Sequence, residues 1–225
     1  MPVVLCALFM QRGAERTVKP VIALIGGVAS GKSAVAAAFA RRGALVVNAD
    51  DEGHAVLRDP AVRAEIIAAF GKGVISSDGE VDRKKLGAIV FGDGEKLATL
   101  NAITHPPIRQ RTNAKIEAGL SDPGIKAIIL DISLLLESGA YGGKYTLLLF
   151  VDADEASRKQ RAAQRGWAQG ELERRQARQM KLEEKRRQAD VVIDNSGSLV
   201  DLDRQVLEIW HNYVADDVDG PPGAP

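Results

Sequence analysis

The residues best suited to chemistry in this 225-residue chain are contiguous: Gly26-Gly27-Val28-Ala29-Ser30-Gly31-Lys32-Ser33. They fit G-x-x-x-x-G-K-[ST], follow the apolar run VIALI (21–25) and open the alanine-rich segment AVAAAF. A strand before and a helix after are the context that gives a P-loop its chemistry. Gly26 and Gly31 permit backbone turns that aim successive N–H groups inward at phosphate oxygens. The unpaired N–H groups and positive dipole end of the following helix extend that cradle. Lys32 reaches the β- and γ-phosphates, and the Ser33 hydroxyl suits a Mg²⁺ ligand. A chance glycine turn between strand and helix leaves the Lys-Ser pair unexplained, so the loop predicts a bound nucleoside triphosphate.

A P-loop leaves kinase, GTPase, motor and regulator open. No Asn-Lys-x-Asp element that would read guanine is present, and the chain is short for a motor. Residues 158–187 hold eleven Lys and Arg against four Glu. One reading is a nucleic-acid patch, but Trp167 is the only aromatic in the block. The other, which fits better, is a lid whose arginines meet phosphate and keep water from the reaction. Thirty basic and thirty acidic residues cancel, so no global field draws in nucleic acid or an anionic membrane. A lone cysteine, Cys6, allows no intrachain disulfide and favours a reducing, cytoplasmic setting.

These residues need a scaffold. VIALI (21–25), ALVVN (44–48), KAIILDI (126–132), YTLLLFVD (145–152) and DVVID (190–194) are short, branched and nearly all apolar, as strands covered on both faces are. Helical patterns lie between most of them. The expected fold is α/β: a P-loop NTPase-type parallel sheet flanked by helices, with a helical acceptor-binding insertion and a helical lid. The core takes 20–50, 126–153 and 190–213, the insertion about 51–125, and the lid about 154–189. In the insertion, PAVRAEIIAAF, RKKLGAIVF and EKLATLNAI read as helices, and GKGVISSDGE and THPP as turns. In the lid, Asp154 caps a helix ending at Gly166, and one long charged helix follows from about Gln169. Residues 1–19 read as a flexible extension too short to span a bilayer, and 214–225, rich in Pro, Gly and Asp, as a disordered tail.

The second strand ends in VVNADDEGH (46–54), which puts Asp50 and Asp51 at the carboxyl edge of the sheet, where open α/β folds bind ligands. Position alone leaves Asp50 either the base that takes a hydroxyl proton or a cap for the next helix. Asp131, at the end of AIILD, is likewise either a Walker B-type aspartate near the metal or a strand-end cap.

The chain resembles the dephospho-coenzyme A kinases from about Val21 to Trp210. ALIGGVASGKS matches their GLTGGIGSGKS-like loop, and VNAD (47–50) their IDAD. Phe70-Gly71, DGEVDRKKL (78–86), VF (90–91), His105-Pro106 and SLLLE (133–137) follow in the family's order. Arg175, Gln179, Lys185 and ADVVIDNSG (189–197) complete it. The resemblance implies that ATP phosphorylates the ribose 3′-hydroxyl of dephospho-coenzyme A, the last step of coenzyme A synthesis, with ATP and Mg²⁺ as cofactors. It makes Asp50 the general base and Arg161 the lid arginine for the phosphates. It places Arg83 and His105 with the acceptor, against plainer roles in pairing Asp82 and pinning a turn. Asn195, after the last strand, is assigned to the nucleotide.

Four family positions differ, one of them Ala34, where the family often has Thr after GKS. Asn48 replaces the first Asp of IDAD, while Ser133 and Leu136 replace the Pro and Phe of PLLFE. The rival functions are a kinase of another small acceptor and an ATP-binding regulator without turnover. Small molecules are the expected partners, with neither nucleic acid nor membrane, and the sequence is silent on oligomeric state.

Overall fold

The computed structural model describes residues 19–215. The chain runs β1 (Val21–Gly26), α1 (Lys32–Ala40), β2 (Ala44–Asn48), α2 (Ala49–Val56) and α3 (Pro60–Phe70). A 3₁₀ turn at Lys72–Val74 precedes α4 (Arg83–Val90), α5 (Gly94–Ser121), β3 (Ala127–Asp131) and α6 (Leu135–Ser138). Then come β4 (Leu147–Asp152), α7 (Glu155–Gln164), α8 (Glu171–Gln176), α9 (Leu182–Gln188), β5 (Val191–Asp194) and α10 (Leu199–Tyr213).

The five strands form one parallel sheet in the order β2-β3-β1-β4-β5. Alternate side chains of β1 serve opposite cores. Ile22 and Leu24 pack with Phe39 of α1 and with Leu202, Val206 and Trp210 of α10. Val21, Ala23 and Ile25 face Ile116 of α5 and Leu135 of α6. The chain thus leaves β1 toward one face and β3 toward the other. Between their carboxyl ends it opens the crevice in which such sheets hold ligands. Each of these branched side chains, buried completely, contributes about 1.5–3 kcal/mol. The expected five strands are present, but full cover belongs to the inner ones. The edge strand β5 leaves Val192 40% exposed, and β2 is only partly buried.

The segment expected to be a separate insertion is joined to the sheet by α5. Its C-terminal part covers β2 and β3, and Gly119 permits the approach, since a Cβ there would lie 2.6 Å from Leu45 Cδ2. Its N-terminal part packs on α2, α3 and α4 around a smaller core of Val56, Ile66, Val74 and Leu86. THPP, read as a turn, is instead helical: Pro106 and Pro107 lie inside α5. Each proline leaves a carbonyl one turn earlier without its N–H, normally about 3 kcal/mol against a helix. Packing along both halves of α5 offsets this. GKGVISSDGE does turn, closed by an Ile75–Val81 bridge.

The single charged helix expected from Gln169 is two, α8 and α9. A continuous helix would commit the Met180 N–H to the carbonyl of residue 176. The break frees it to donate to the Glu137 carboxylate at 2.8 Å. Asp154 caps α7 as expected, accepting from Ser157 N, and Gly166 turns after it with φ 69°. At the expected ends, Lys19 donates to the Gly119 carbonyl (2.9 Å), and Val214 and Ala215 pack against the core. The rest of both proposed termini lies outside the described residues. Among those residues no helix is long and apolar enough to cross a membrane.

Candidate active site

The P-loop leaves β1 at the centre of the sheet, and residues 21–30 are all buried. Gly26 is needed for close approach: a Cβ would stand 2.5 Å from the Val151 carbonyl oxygen. Gly31 is needed twice, for its φ of 91° and because a Cβ would collide with the Asn195 amide. No side chain caps α1, so the N–H groups of its first turn at Lys32 and Ser33 stay available to an anion. Ala29 adopts φ 61°, a left-handed conformation that a residue with a Cβ takes at a cost.

Several elements brace the loop. The buried Asn195 donates its amide to the Ser30 carbonyl at 2.7 Å. Arg161 donates to the same carbonyl at 3.0 Å and to the Asn195 carbonyl. Gln176 of α8 accepts from the Val28 N–H at 3.1 Å. Arg161 and Asn195 therefore meet the P-loop and each other through backbone carbonyls. Val28 and Ala29 pack against Ala162 and Leu172 of the lid.

The register of β2 on β3 sets Asn48 beside Asp131. Asn48 caps α2, accepting from the N–H groups of Asp50 (2.8 Å) and Asp51 (3.3 Å), and its amide donates to Asp131 Oδ2 at 3.4 Å. The cap is thus Asn48, and the Asp50 carboxylate is left free of that duty. Its Oδ2 accepts from the Ser133 hydroxyl at 3.3 Å. Two of the family departures, Asn48 and Ser133, therefore both bond into this acidic corner.

Burial pushes the Asp131 carboxyl above the ordinary aspartate value; Lys32 pulls it down, while Asp50 and Asp51 add to the rise. Burial likewise pushes the Lys32 ammonium below the ordinary lysine value. Asp131 and Asp50 oppose that shift, and Lys185 reinforces it. Lys32 and Asp131 make no direct ion pair. Both groups are displaced toward neutrality, as befits charges that lack close partners. Phosphate and a divalent cation have the chemistry to complete them. The exposed Ser33 hydroxyl and the Asp131 carboxylate are hard oxygen donors of the kind Mg²⁺ takes alongside phosphates and water.

The acceptor candidates lie apart from this corner. Arg83 starts α4 and is exposed. Asp82 caps that helix and meets Lys85, so it does not pair Arg83. His105 is exposed on α5, one residue before Pro106 and within a continuous helix rather than a turn. Neither makes a hydrogen bond or ion pair with Asp50 or Lys32. Between insertion and lid, Phe91 is 71% exposed beneath the Arg178 guanidinium, 5.6 Å from its ring centre.

Other contacts escaped the sequence reading. Lys185, 2% exposed, meets Glu137 at 2.9 Å and Gln179 at 3.0 Å, pinning α9 to the segment after β3. Arg158, three residues before Arg161 on α7, is buried against the P-loop. That spacing puts the two arginines on one helix face and could have drawn attention to Arg158.

The family model described as Dephospho-CoA kinase matches residues 20–201. The dephospho-CoA kinase of Geobacillus kaustophilus is 42% identical over 196 residues, 86% of this chain and 96% of that protein. The Leifsonia xyli enzyme of the same name is 43% identical over 193 residues, 84% of this chain and 96% of that protein. A crystal structure from Thermus thermophilus superposes with a TM-score of 0.75 at 31% identity, covering 88% of this chain and all of that one. A dephospho-CoA kinase from Campylobacter jejuni, 24% identical over 87% of this chain and 98% of its own, shares the fold with a TM-score of 0.63.

Proposed function

The chain belongs to the dephospho-CoA kinase family, and from that premise we infer how its own residues carry the reaction. It is a kinase that phosphorylates dephospho-CoA with ATP. The single observation that carries the residue assignment is the placement of Lys32, Asp131 and Asp50 at or just beyond the carboxyl ends of the neighbouring strands β1, β3 and β2.

The P-loop N–H groups and Lys32 hold the β- and γ-phosphates. Asp50 accepts the proton of the ribose 3′-hydroxyl as its oxygen attacks the γ-phosphorus, and the bond to the β–γ bridging oxygen breaks to release ADP. Asn48 leaves Asp50 free for that role by taking over the helix cap. Ser33 and Asp131 would hold Mg²⁺, which when bound neutralises charge on the phosphate oxygens. Lys32 gains the counter-charge that its buried setting lacks. Arg161 acts by fixing the loop through Ser30 and Asn195, and Arg83 and His105 meet the acceptor from the insertion. Orientation dominates such a reaction and can account for about 7–11 kcal/mol of barrier.

The test is incubation with Mg-ATP and dephospho-CoA, with the product read by mass spectrometry. Adenosine, AMP, shikimate and gluconate are run in parallel. Coenzyme A from dephospho-CoA alone is expected; transfer to another acceptor, or none despite ATP binding, would contradict the assignment.

A further inference from the structure

The lid meets the P-loop at a cluster of buried polar atoms without partners among the described residues: Ser30 Oγ, Arg158 Nε and Gln176 Nε2. Arg158 is 9% exposed, and no carboxylate of the described residues lies within ion-pair distance of it. A buried guanidinium without a counter-charge is strongly unfavourable, so its place in the fold calls for an anion. Its surroundings supply the rest of an anion site. Nη1 lies beside Gly27, where an added Cβ would approach it to 3.1 Å. Nη2 donates to Gln176 Oε1 at 3.3 Å, and the same oxygen accepts from the Val28 N–H at 3.1 Å. One neutral carboxamide oxygen thus occupies the point where a P-loop N–H and a guanidinium converge, a donor pair suited to a phosphate oxygen.

We propose that Arg158 is a further ligand of a nucleotide phosphate, and that the Gln176 carboxamide holds its place until the nucleotide arrives. The proposal rests on the P-loop as the ATP site. It differs from the role of Arg161, whose Nη1 and Nη2 donate to the Ser30 and Asn195 carbonyls. Binding exchanges a neutral acceptor for a charged one at both donors. It also frees Gln176, and with it the hold of α8 on the crown of the loop.

The test is calorimetric titration of Mg-ATP, without acceptor, into the full chain and its Arg158→Gln, Arg158→Lys and Gln176→Ala variants, each checked for folding by thermal melting. Arg158→Gln should weaken ATP by about ten- to a hundredfold, the range that loss of a charge-assisted contact spans. Arg158→Lys should recover part of that loss. Gln176→Ala should bind ATP at least as tightly as the parent, because it removes a competitor. Unchanged ATP affinity in Arg158→Gln would overturn the proposal, as would Gln176→Ala losing as much affinity as Arg158→Gln, the mark of a fixed structural clamp. Should Arg158→Gln fail to fold, Gln176→Ala decides alone: weaker binding refutes the proposal and equal or tighter binding supports it. Coenzyme A formation by the parent is a separate control. Its absence would count against the acceptor assignment, while the role of Arg158 is read from ATP binding.

Discussion

The proposed nucleotide half and the proposed acceptor half of this molecule are held together by different means. The P-loop springs from a strand buried on both faces and is braced by Asn195 and Arg161, from two separate segments. The acceptor half is a small apolar core around Ile66 and Val74. Beside it the buried Glu52 of α2 ties to Arg111 (2.9 Å) and Lys115 of α5, an ionic joint. One half is rigid before any ligand arrives, while the other leaves Arg83, His105 and Phe91 exposed for a ligand to meet. The part proposed to handle the phosphates is thus preorganised, while the part proposed to choose the acceptor presents its candidate residues on an exposed surface.

The largest effect is expected at Lys32. Lys32→Met should lower kcat/KM by about a thousandfold or more, since it removes charge stabilisation of the transferring group. Coupled-assay kinetics checks this. Next come two matched cavities. Ile129→Ala in the sheet and Ile66→Ala in the small core each remove a fully buried side chain. Each should cost about 2–5 kcal/mol of stability by chemical denaturation. Ile66→Ala should also raise KM for dephospho-CoA while sparing KM for ATP, which would sharpen the distinction. Equal effects on both substrates would blur it.

A smaller effect concerns the joint. Burial pushes the Glu52 carboxyl up, but Lys115 and Arg111 together hold it below its ordinary value of 4.5. Its folded value is therefore the lower one. The stability it contributes is complete above pH 4.5 and is lost as pH falls through the folded value. Glu52→Gln should destabilise by about 1–3 kcal/mol at pH 7, and less as the solution is acidified. Denaturation at several pH values measures that convergence. Smallest of all, Ala29→Gly relieves a left-handed φ of 61° but loosens the unfolded chain, for a net gain of at most about 1 kcal/mol, visible as a raised Tm.

How far the sequence revealed these halves follows the same divide. The P-loop was legible because its parts are contiguous, so local chemistry alone defines it. The inner strands were legible because cover on both faces makes them continuous apolar runs. THPP misled because proline's local preference is overridden by the packing of a 28-residue helix along its length. The bond from Gln176 to Val28 joins residues 148 apart, and the pairing of Lys185 with Glu137 depends on a break between two helices. No local pattern announces such contacts, which only the folded chain brings together. Asp50 lies between: its sheet-edge position was readable, but its freedom from capping rests on Asn48, a residue that had counted only as a departure.

The most direct measurement sets the two halves against each other in one variant. ATP affinity by calorimetry and phosphoryl transfer to dephospho-CoA are measured for Asp50→Ala. ATP binding should stay within about twofold of the parent and transfer should fall by about 10²–10⁴-fold, the contribution of a positioned general base. Near-normal transfer, or ATP binding lost together with it, would contradict the account.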